Sequence, residues 1–184
     1  MTMTNLVLRT LTSADAPAYR TLRLAGLQAF PEVFQPDYAE ALAQPLSWSE
    51  KRLVRHNDTF FGAFEGAGKD SALVGAICLR LHEGRKIRHV AELKALVVDP
   101  ARQGCGIGRA LVGHLIAHAR ALGHVRSITL TLIDGNVRAQ RLYERFGFAQ
   151  FGLEADAFLL DGEYYAKQHR QLILSHSNHE QQLP

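Results

Sequence analysis

The stretch Gln103–Gly108 carries the sequence pattern best suited to chemistry. Every second residue in it after Gln103 is glycine, and it lies between an apolar segment typical of a strand and a periodic segment typical of a helix. Glycines let successive backbone N–H groups point into one concavity, and a helix N-terminus adds positive potential there. Such a turn binds phosphate groups. The same glycine pattern is also expected for a turn that serves only the tight packing of the strand against the helix.

The glycine spacing excludes two common phosphate-binding motifs. A dinucleotide fingerprint needs G-x-G-x-x-G/A, and counting from Gly104 or Gly106 places Arg109 or Leu111 at the last position. A P-loop needs Gly-Lys-Ser/Thr, whereas Gly108 is followed by Arg109. A nicotinamide-dependent dehydrogenase and a P-loop nucleotide hydrolase are therefore disfavoured.

A second pattern follows one predicted helix and one predicted strand later. It has the form N-x-x-A-x-x-x-Y-x-x-x-G-F, and it is made by Asn136, Ala139, Tyr143, Gly147 and Phe148. On a helix, Asn136 can cap the N-terminus. Tyr143 is either a core aromatic of an amphipathic helix or a phenol that handles a proton.

Both patterns, in this order, resemble the GNAT superfamily of acetyl-CoA-dependent N-acetyltransferases. The first superfamily signature, Q/R-x-x-G-x-G/A, is matched by Gln103, Gly106 and Gly108, and the second pattern is matched at every position. The resemblance covers approximately residues 6–174. It implies an α+β fold: a twisted, mostly antiparallel mixed sheet of six to seven strands, flanked by about four helices, with one parallel strand pair that splays apart.

The resemblance also implies where acetyl-CoA binds. The diphosphate would meet backbone N–H groups of the turn, and the pantetheine arm would pair with the open edge of the preceding strand. Arg109 and Arg138 could meet phosphate charge, and Asn136 would contact the cofactor or cap its helix. The implied binding residues are Leu96, Val97, Val98, Gln103, Gly104, Cys105, Gly106, Ile107, Gly108, Arg109, Asn136, Arg138 and Tyr143.

The implied reaction is direct attack of a primary amine on the acetyl thioester. Tyr143 would protonate the departing CoA thiolate, and the Val98 N–H would polarise the thioester carbonyl. Glu92 lies where some relatives carry a general base, although a bulge expected in its strand leaves the register open and an ordered water could act instead. The alternative interpretation is a CoA-binding regulatory module without catalysis.

The amine acceptor is not specified by the sequence. Relatives build the acceptor side from the region matching residues 28–50 and from the final hairpin, so Phe30, Phe34, Tyr38 and Trp48 are candidate pocket residues or ordinary core. No metal is expected, because His114 and His118 have no third ligand at a matching spacing. Dimers are common among relatives, so a homodimer is also an expectation.

The elements that must position these residues follow from the apolar patterning. Strands are predicted at 6–9, 59–64, 72–81, 90–98, 127–132 and on both sides of an Asp161-Gly162 turn, with the last strand reaching Leu174. Helices are predicted from residue 12 or 13 to about 28, from a Ser47–Glu50 capping box to 56, from 107 to 122, and from 136 to 145. Residues 30–44 read as a loop or broken helix.

Composition bounds the remaining alternatives. The 184 residues are 47% hydrophobic and 21% charged, with a net charge of +3, which is typical of one globular domain over residues 1–174 with a polar tail at 175–184. The longest basic run is Arg85–Arg88, which disfavours nucleic-acid binding. No apolar stretch predicts a membrane span, and two cysteines without a disulfide framework favour the cytoplasm.

Overall fold

The computed structural model describes residues 6–66, 68 and 71–174. The strands are β1 (Leu6–Thr10), β2 (Asp58–Glu65), β3 (Ala72–Leu81), β4 (Val90–Val98), β5 (Ser127–Ile133), β6 (Ala149–Leu160) and β7 (Glu163–Ile173). The helices are α1 (Ala16–Ala29), α2 (Tyr38–Ala43), α3 (Leu46–Leu53), α4 (Ile107–Ala121) and α5 (Val137–Glu144). The strands form one sheet in the order β1-β2-β3-β4-β5-β7-β6.

The predicted mixed sheet with one parallel pair is confirmed. Strands β2, β3 and β4 form an antiparallel meander, whereas β4 and β5 are parallel because α4 crosses over between them. Their pairing covers only Val90–Glu92 against Ser127–Thr129. Beyond this point the two strands separate, and the second half of β4 pairs with β3 alone among the described strands.

The bulge expected in β4 is present at Ala95. The register with β3 shifts by one residue between Ala76 and Cys78, and Ala95 has a φ of 54°. The extra residue resets the alternation of side chains. Lys94 lies opposite Cys78, and Val97, three residues further on, packs in the same apolar cluster as Cys78. The bulge therefore turns both residues toward the same face of the sheet.

Each face of the sheet carries its own apolar core. On one face α1 and α3 pack through Tyr19, Leu22 and Leu53 onto Phe60 and other residues of the sheet. On the other face α4 packs through a stripe of buried residues at helical spacing, Ile107, Leu111, Val112, Leu115 and Ile116. The sheet thus separates two surfaces, and the point where β4 and β5 part lies between them.

The structure corrects the predicted start of α3. The predicted Ser47–Glu50 capping box is wrong, because the helix begins at Leu46 with Pro45 as its N-cap. The Trp48 N–H already donates to the Pro45 carbonyl at 3.0 Å, so Ser47 lies inside the first turn and cannot cap it. Proline is tolerated at this N-cap because it has no backbone N–H that would need a partner, and its φ of −67° is that of extended backbone before the helix.

Two further predictions concern the α1–α3 segment and the last hairpin. Residues 30–44 form a broken helix, with a 3₁₀ turn at Pro31–Val33 followed by α2. The Asp161-Gly162 turn is confirmed, and its φ angles of 49° and 85° are those of a tight hairpin turn. The tail predicted at 175–184 lies outside the described residues. Among α1 to α5, no helix has the length and apolar character needed to cross a membrane.

Candidate functional site

A cleft of about 940 Å³ opens where β4 and β5 separate. Its size is within the range of small-molecule and cofactor sites. Four segments line it: the turn after α1, the end of β4, the turn before α4 together with the first turn of that helix, and α5 with the end of β5. The splay predicted for the parallel strand pair therefore opens this cleft.

The turn before α4 presents backbone N–H groups to this cleft. Gly104 and Gly106 have φ angles of 83° and 82°, a left-handed conformation that an L side chain adopts at a cost. Gly106 is the N-cap of α4, so the N–H groups of the next residues have no partner within the helix. An added Cβ at Gly106 would meet no atom within 4 Å, so this side of the turn is open. The turn has the features of an anion cradle.

Helix α5 contacts the cradle through Arg138. Its guanidinium donates to the Gln103 side-chain oxygen, and it lies 3.7 Å from the position of a Cβ added to Gly104. Arg109 and Arg138 are both exposed and both line the cleft. Positive charge therefore surrounds the N–H groups of the turn, which favours an anionic ligand.

Tyr143 lies on the face of α5 that closes the cleft. The residue is 6% exposed, and its ring packs edge-on against Phe148 with the centroids 5.7 Å apart. Burial raises the pKa of Tyr143 above that of an ordinary phenol, so the hydroxyl stays protonated. Among the described residues no group accepts or donates a hydrogen bond at this hydroxyl. The structure thus places a neutral phenol on a residue that lines the cleft.

Buried polar side chains hold α5 at both ends. Before the helix, Asp134 accepts from Gln168 at 2.6 Å, and Gln168 accepts from Arg170 at 2.8 Å. At the far end, Arg170 donates to Glu144 at 3.1 Å and to the Phe148 carbonyl at 3.4 Å. Gln168 and Arg170 are each 5% exposed. This network fixes α5 on β7 and thereby fixes where its residues meet the cleft.

Asn136 caps α5, as one of its two predicted roles requires. Its side-chain oxygen accepts from the Ala139 N–H at 3.1 Å, and the residue also lines the cleft. The capping bond orients the first turn of the helix. Asn136 and Tyr143 thus reach the same cavity from opposite ends of α5.

Most of the predicted site residues come together in this one cleft. Those that line it are Leu96, Val97, Val98, Gln103, Gly104, Gly106, Ile107, Gly108, Arg109, Asn136, Arg138 and Tyr143. Cys105 is exposed in the turn, and Glu92 lies near the N-terminal end of β4. Neither residue lines the cleft. Glu92 is opposite Arg80 on one side and Thr129 on the other.

Several lining residues were missed from sequence. Arg141 on α5 and Arg145 at its C-cap line the cleft together with Arg138, and their spacing of three and seven residues after Arg138 was an available signal. Lys94 also lines the cleft, and its ammonium lies 3.3 Å from the Asp58 carboxylate on β2. No local pattern connects Lys94 with a residue so distant in sequence.

Two of the four aromatic residues predicted as candidates for the acceptor pocket line the cleft. Phe30 and Phe34 line the cavity, whereas Tyr38 and Trp48 do not. Phe34 is anchored against α1, because its ring lies 3.6 Å from the position of a Cβ added to Gly26. The apolar wall at this end therefore comes from the turn between α1 and α2.

Cys78, His114 and His118 lie outside the cleft and pack against apolar or aromatic neighbours. Cys78 is fully buried, and burial raises its pKa to about 12, which makes it an unreactive thiol. His114 and His118 pack edge-on against Phe61, with ring centroids 4.9 and 5.0 Å away. Burial, and secondarily the neighbouring His114, lowers the pKa of His118. Within the described ranges no group of three or more His, Cys, Asp or Glu side chains could hold a metal.

The fold and the cleft define an α+β domain with a split parallel strand pair and an amide cradle at its mouth. The sequence profile described as the acetyltransferase (GNAT) family matches residues 22–148. The chain therefore belongs to the GNAT acetyltransferase family.

Individual relatives agree with this assignment. Mycothiol acetyltransferase of Acidimicrobium ferrooxidans is 30% identical over 146 residues, which cover 73% of this chain and 44% of that protein. Spermine/spermidine N(1)-acetyltransferase of Bacillus subtilis is 39% identical over 64 residues, or 35% of this chain and 41% of that protein. The chain thus spans less than half the length of these curated relatives.

Solved structures share the fold. A GNAT-family acetyltransferase from Streptococcus pneumoniae superposes with a TM-score of 0.78 at 19% identity, covering 92% of this chain and all of that one. The Salmonella typhimurium protein yncA, solved with its cofactor acetyl-CoA, gives a TM-score of 0.72 at 21% identity, covering 95% of this chain and 96% of that one.

The residues that line the cleft are suited to bind acetyl-CoA. The open side of the Gly106 cradle leaves room for a diphosphate, and Arg138 of α5 lies against the same turn. The edge of β4 that faces the split has no strand partner beyond Glu92 among the described strands. It can therefore pair with an extended amide-bearing chain as a strand would.

Proposed function

We propose that this protein is an N-acetyltransferase that moves the acetyl group of acetyl-CoA to a primary amine by direct attack. The observation that carries the proposal is the convergence of three features on one cleft: the amide cradle at Gly106, the open edge of β4, and the neutral hydroxyl of Tyr143. A diphosphate site, a pantetheine groove and a proton donor are the parts that acetyl transfer needs.

The proposed binding contacts belong to the chain's own residues. Backbone N–H groups from Gln103 to Arg109 hold the diphosphate, and Arg109 and Arg138 add charge-assisted hydrogen bonds. The edge groups of Leu96–Val98 pair with the pantetheine amides. The Val98 N–H polarises the thioester carbonyl, a contact that strengthens as negative charge develops on the oxygen.

Acetyl-CoA supplies the acetyl thioester, so transfer to an amine forms one C–N bond and breaks one C–S bond. Tyr143 gives its proton to the leaving sulfur, and its position on the clamped helix α5 keeps the hydroxyl in place. The raised pKa of this buried phenol keeps the donor protonated at neutral pH.

The amine must lose a proton, because a primary alkylammonium has a pKa near 10. We propose that Glu92 takes this proton. Since Glu92 does not line the cleft, the transfer would use a bridging water. An ordered water acting alone is the competing route.

A second copy of the chain is the proposed partner besides the acceptor. Strand β6 is an edge of the sheet, and it carries exposed apolar side chains at Phe151, Leu153 and Leu159. An unpaired apolar edge of this kind favours association. Sedimentation of the full chain at micromolar concentration would show a dimer, and a monomer under those conditions would contradict it.

The test of the function is release of CoA thiol from acetyl-CoA in the presence of a panel of primary amines. We expect amine-dependent thiol release with formation of the matching N-acetyl product by mass spectrometry. Acetyl-CoA without amine gives the background hydrolysis. Tight binding of acetyl-CoA with no turnover of any amine or peptide would instead identify a non-catalytic CoA-binding module.

A further inference from the structure

Two arginines between α1 and α3 lack an acidic partner. Arg23 and Arg52 both lie over the indole ring of Trp48, with guanidinium carbons 5.7 and 5.1 Å from its centroid. The Nε of Arg52 donates to the Tyr19 hydroxyl at 3.1 Å. Neither arginine forms an ion pair with a carboxylate in the described part of the chain. The pair therefore presents two guanidinium groups with their charge uncompensated.

Burial makes this arrangement costly. The Nε of Arg23 is buried and has no hydrogen-bond partner among the described residues. Burial lowers the pKa of Arg23, Tyr19 opposes this lowering, and the charge of Arg52 adds to it. Buried polar atoms are normally paired, and a buried charge without a counter-ion is destabilising. A bound anion would remove both penalties.

The neighbouring acids do not supply that anion. Asp58 is already bound by Arg80, at 2.7 and 2.9 Å, and by Lys94 at 3.3 Å, and its side chain is 1% exposed. Glu92 lies opposite Arg80 in the register of β3 and β4. Asp58 and Glu92 therefore face Arg80 and Lys94, and neither forms an ion pair with Arg23 or Arg52 among the described residues.

The pair lies next to the cleft wall. Gly26 follows Arg23 by about one helical turn, or roughly 5 Å along α1. A Cβ added to Gly26 would be 2.6 Å from Val97 and 3.6 Å from Phe34, two residues that line the cleft. Arg23 is half-buried and so is Trp48, which leaves both reachable by a ligand. A molecule at the Phe34 end of the cleft could extend one polar group to the pair.

We propose that Arg23 and Arg52 bind an anionic oxygen group, a carboxylate or a phosphate, on the acceptor. Guanidinium groups present a planar fork of donors that matches both anions. This inference rests on the proposed function and narrows its substrate class: the acceptor is a primary amine that also carries an acidic group. Simple alkylamines and polyamines lack that group.

Binding can be tested without turnover because Trp48 is the single tryptophan of the chain. The full-length protein is titrated with sodium phosphate and with sodium acetate while Trp48 fluorescence is recorded, and sodium chloride at equal ionic strength is the reference. We expect a saturable change with at least one of the two anions and none with chloride. Arg23→Gln and Arg52→Gln should each weaken the apparent affinity about tenfold, the scale of a charge-assisted hydrogen bond.

The matched control is Lys51→Gln, which removes an exposed cation from the same helix and should leave the titration unchanged. Arg52→Lys keeps the positive charge but loses the planar guanidinium donors, so we expect an affinity for the anion between those of the wild-type protein and Arg52→Gln. Melting followed by circular dichroism verifies that each variant is folded. The inference is wrong if neither anion changes the fluorescence, or if the arginine variants respond as the wild-type protein does.

Pairs of amine acceptors that differ only in an acidic group test whether the arginine pair binds the substrate, and they distinguish a carboxylate from a phosphate. Alanine is compared with alaninamide, and phosphoethanolamine with ethanolamine. In Arg23→Gln we expect KM to rise about tenfold for the acid-bearing member of one pair, with no change for its neutral partner. Turnover of these amines without any such discrimination overturns the inference. If no amine is acetylated while phosphate or acetate still binds through the arginines, the proposed function fails and the anion subsite stands.

Discussion

The guanidinium of Arg170 donates to the Glu144 carboxylate at 3.1 Å and so joins the middle of β7 to the end of α5. Glu144 directly follows Tyr143 in the chain, which means that this bond acts on the helix end that carries the proposed proton donor. Arg170 is buried, whereas the Glu144 side chain is 55% exposed. The arginine is therefore the member of the pair whose removal leaves buried groups without partners.

Replacing Arg170 should loosen α5 without unfolding the protein. In Arg170→Met the Gln168 side-chain oxygen and the Phe148 carbonyl lose their donor, so we expect a loss of about 2 kcal/mol in the free energy of unfolding. Glu144→Gln keeps an acceptor oxygen and should cost less. Urea unfolding measures both, with the exposed Arg120→Gln as control. Equal stability of Arg170→Met and wild type would contradict the role assigned to this network.

The cradle glycine can be tested with a matched glycine elsewhere. Gly106 and Gly123 have φ angles of 82° and 71°, and a Cβ at either position meets no atom within 4 Å. Each Gly→Ala change should therefore cost about 1 kcal/mol of stability through backbone strain alone. We expect only Gly106→Ala to weaken acetyl-CoA binding in calorimetry, by tenfold or more. Equal binding by both variants would remove the cradle from the proposed site.

Tyr143→Phe separates catalysis from binding. We expect kcat to fall by about 10²–10⁴, the range of a positioned general acid, while the Kd for acetyl-CoA is unchanged. Because burial raises the pKa of Tyr143, the wild-type enzyme should not lose activity through phenol ionisation below about pH 10. Stopped-flow thiol release and calorimetry make the two measurements. An unchanged kcat would rule out the proton-donor role.

Glu92→Gln tests the proposed base. If Glu92 takes the proton through a water, the variant should lose about two orders of magnitude in kcat/KM while the Kd for acetyl-CoA is unchanged. Glu83→Gln removes an exposed carboxylate near the end of β3 and is the control. An unchanged kcat/KM in Glu92→Gln would show that water acts without this carboxylate.

The two thiols should differ in reactivity and in their effect on stability. In the native protein a thiol reagent should titrate only the exposed Cys105, and denaturation should reveal Cys78 as well. Burial raises the pKa of Cys78 from 9.0 to about 12, so above pH 9 the unfolded state has lost a proton that the folded state keeps. Stability should therefore fall between pH 9 and 12, less steeply in Cys78→Ala. Two reactive thiols in the native protein would contradict the buried position of Cys78.

The sequence by itself determined the features that depend on neighbouring residues. The two spaced motifs identified the family, the Asp161-Gly162 pair specified its hairpin turn, and the apolar periodicity placed α1, α4, α5 and the strands except for β6, whose start at Ala149 was not predicted. These signals are local, because a turn needs particular φ angles and a helix face repeats every three to four residues. The start of α3 was missed because Pro45 outweighed the Ser47 capping pattern.

Only the tertiary structure decided which distant side chains meet. The register of β2, β3 and β4 brought Lys94 to Asp58, the packing of α1 against α3 brought Arg23 and Arg52 onto Trp48, and the β5–β7 pairing put Arg170 beneath α5. These contacts join residues that lie far apart along the chain. Each depends on strand register and helix packing, in which a shift of one residue reverses the direction of a strand side chain. Local patterns do not contain that information.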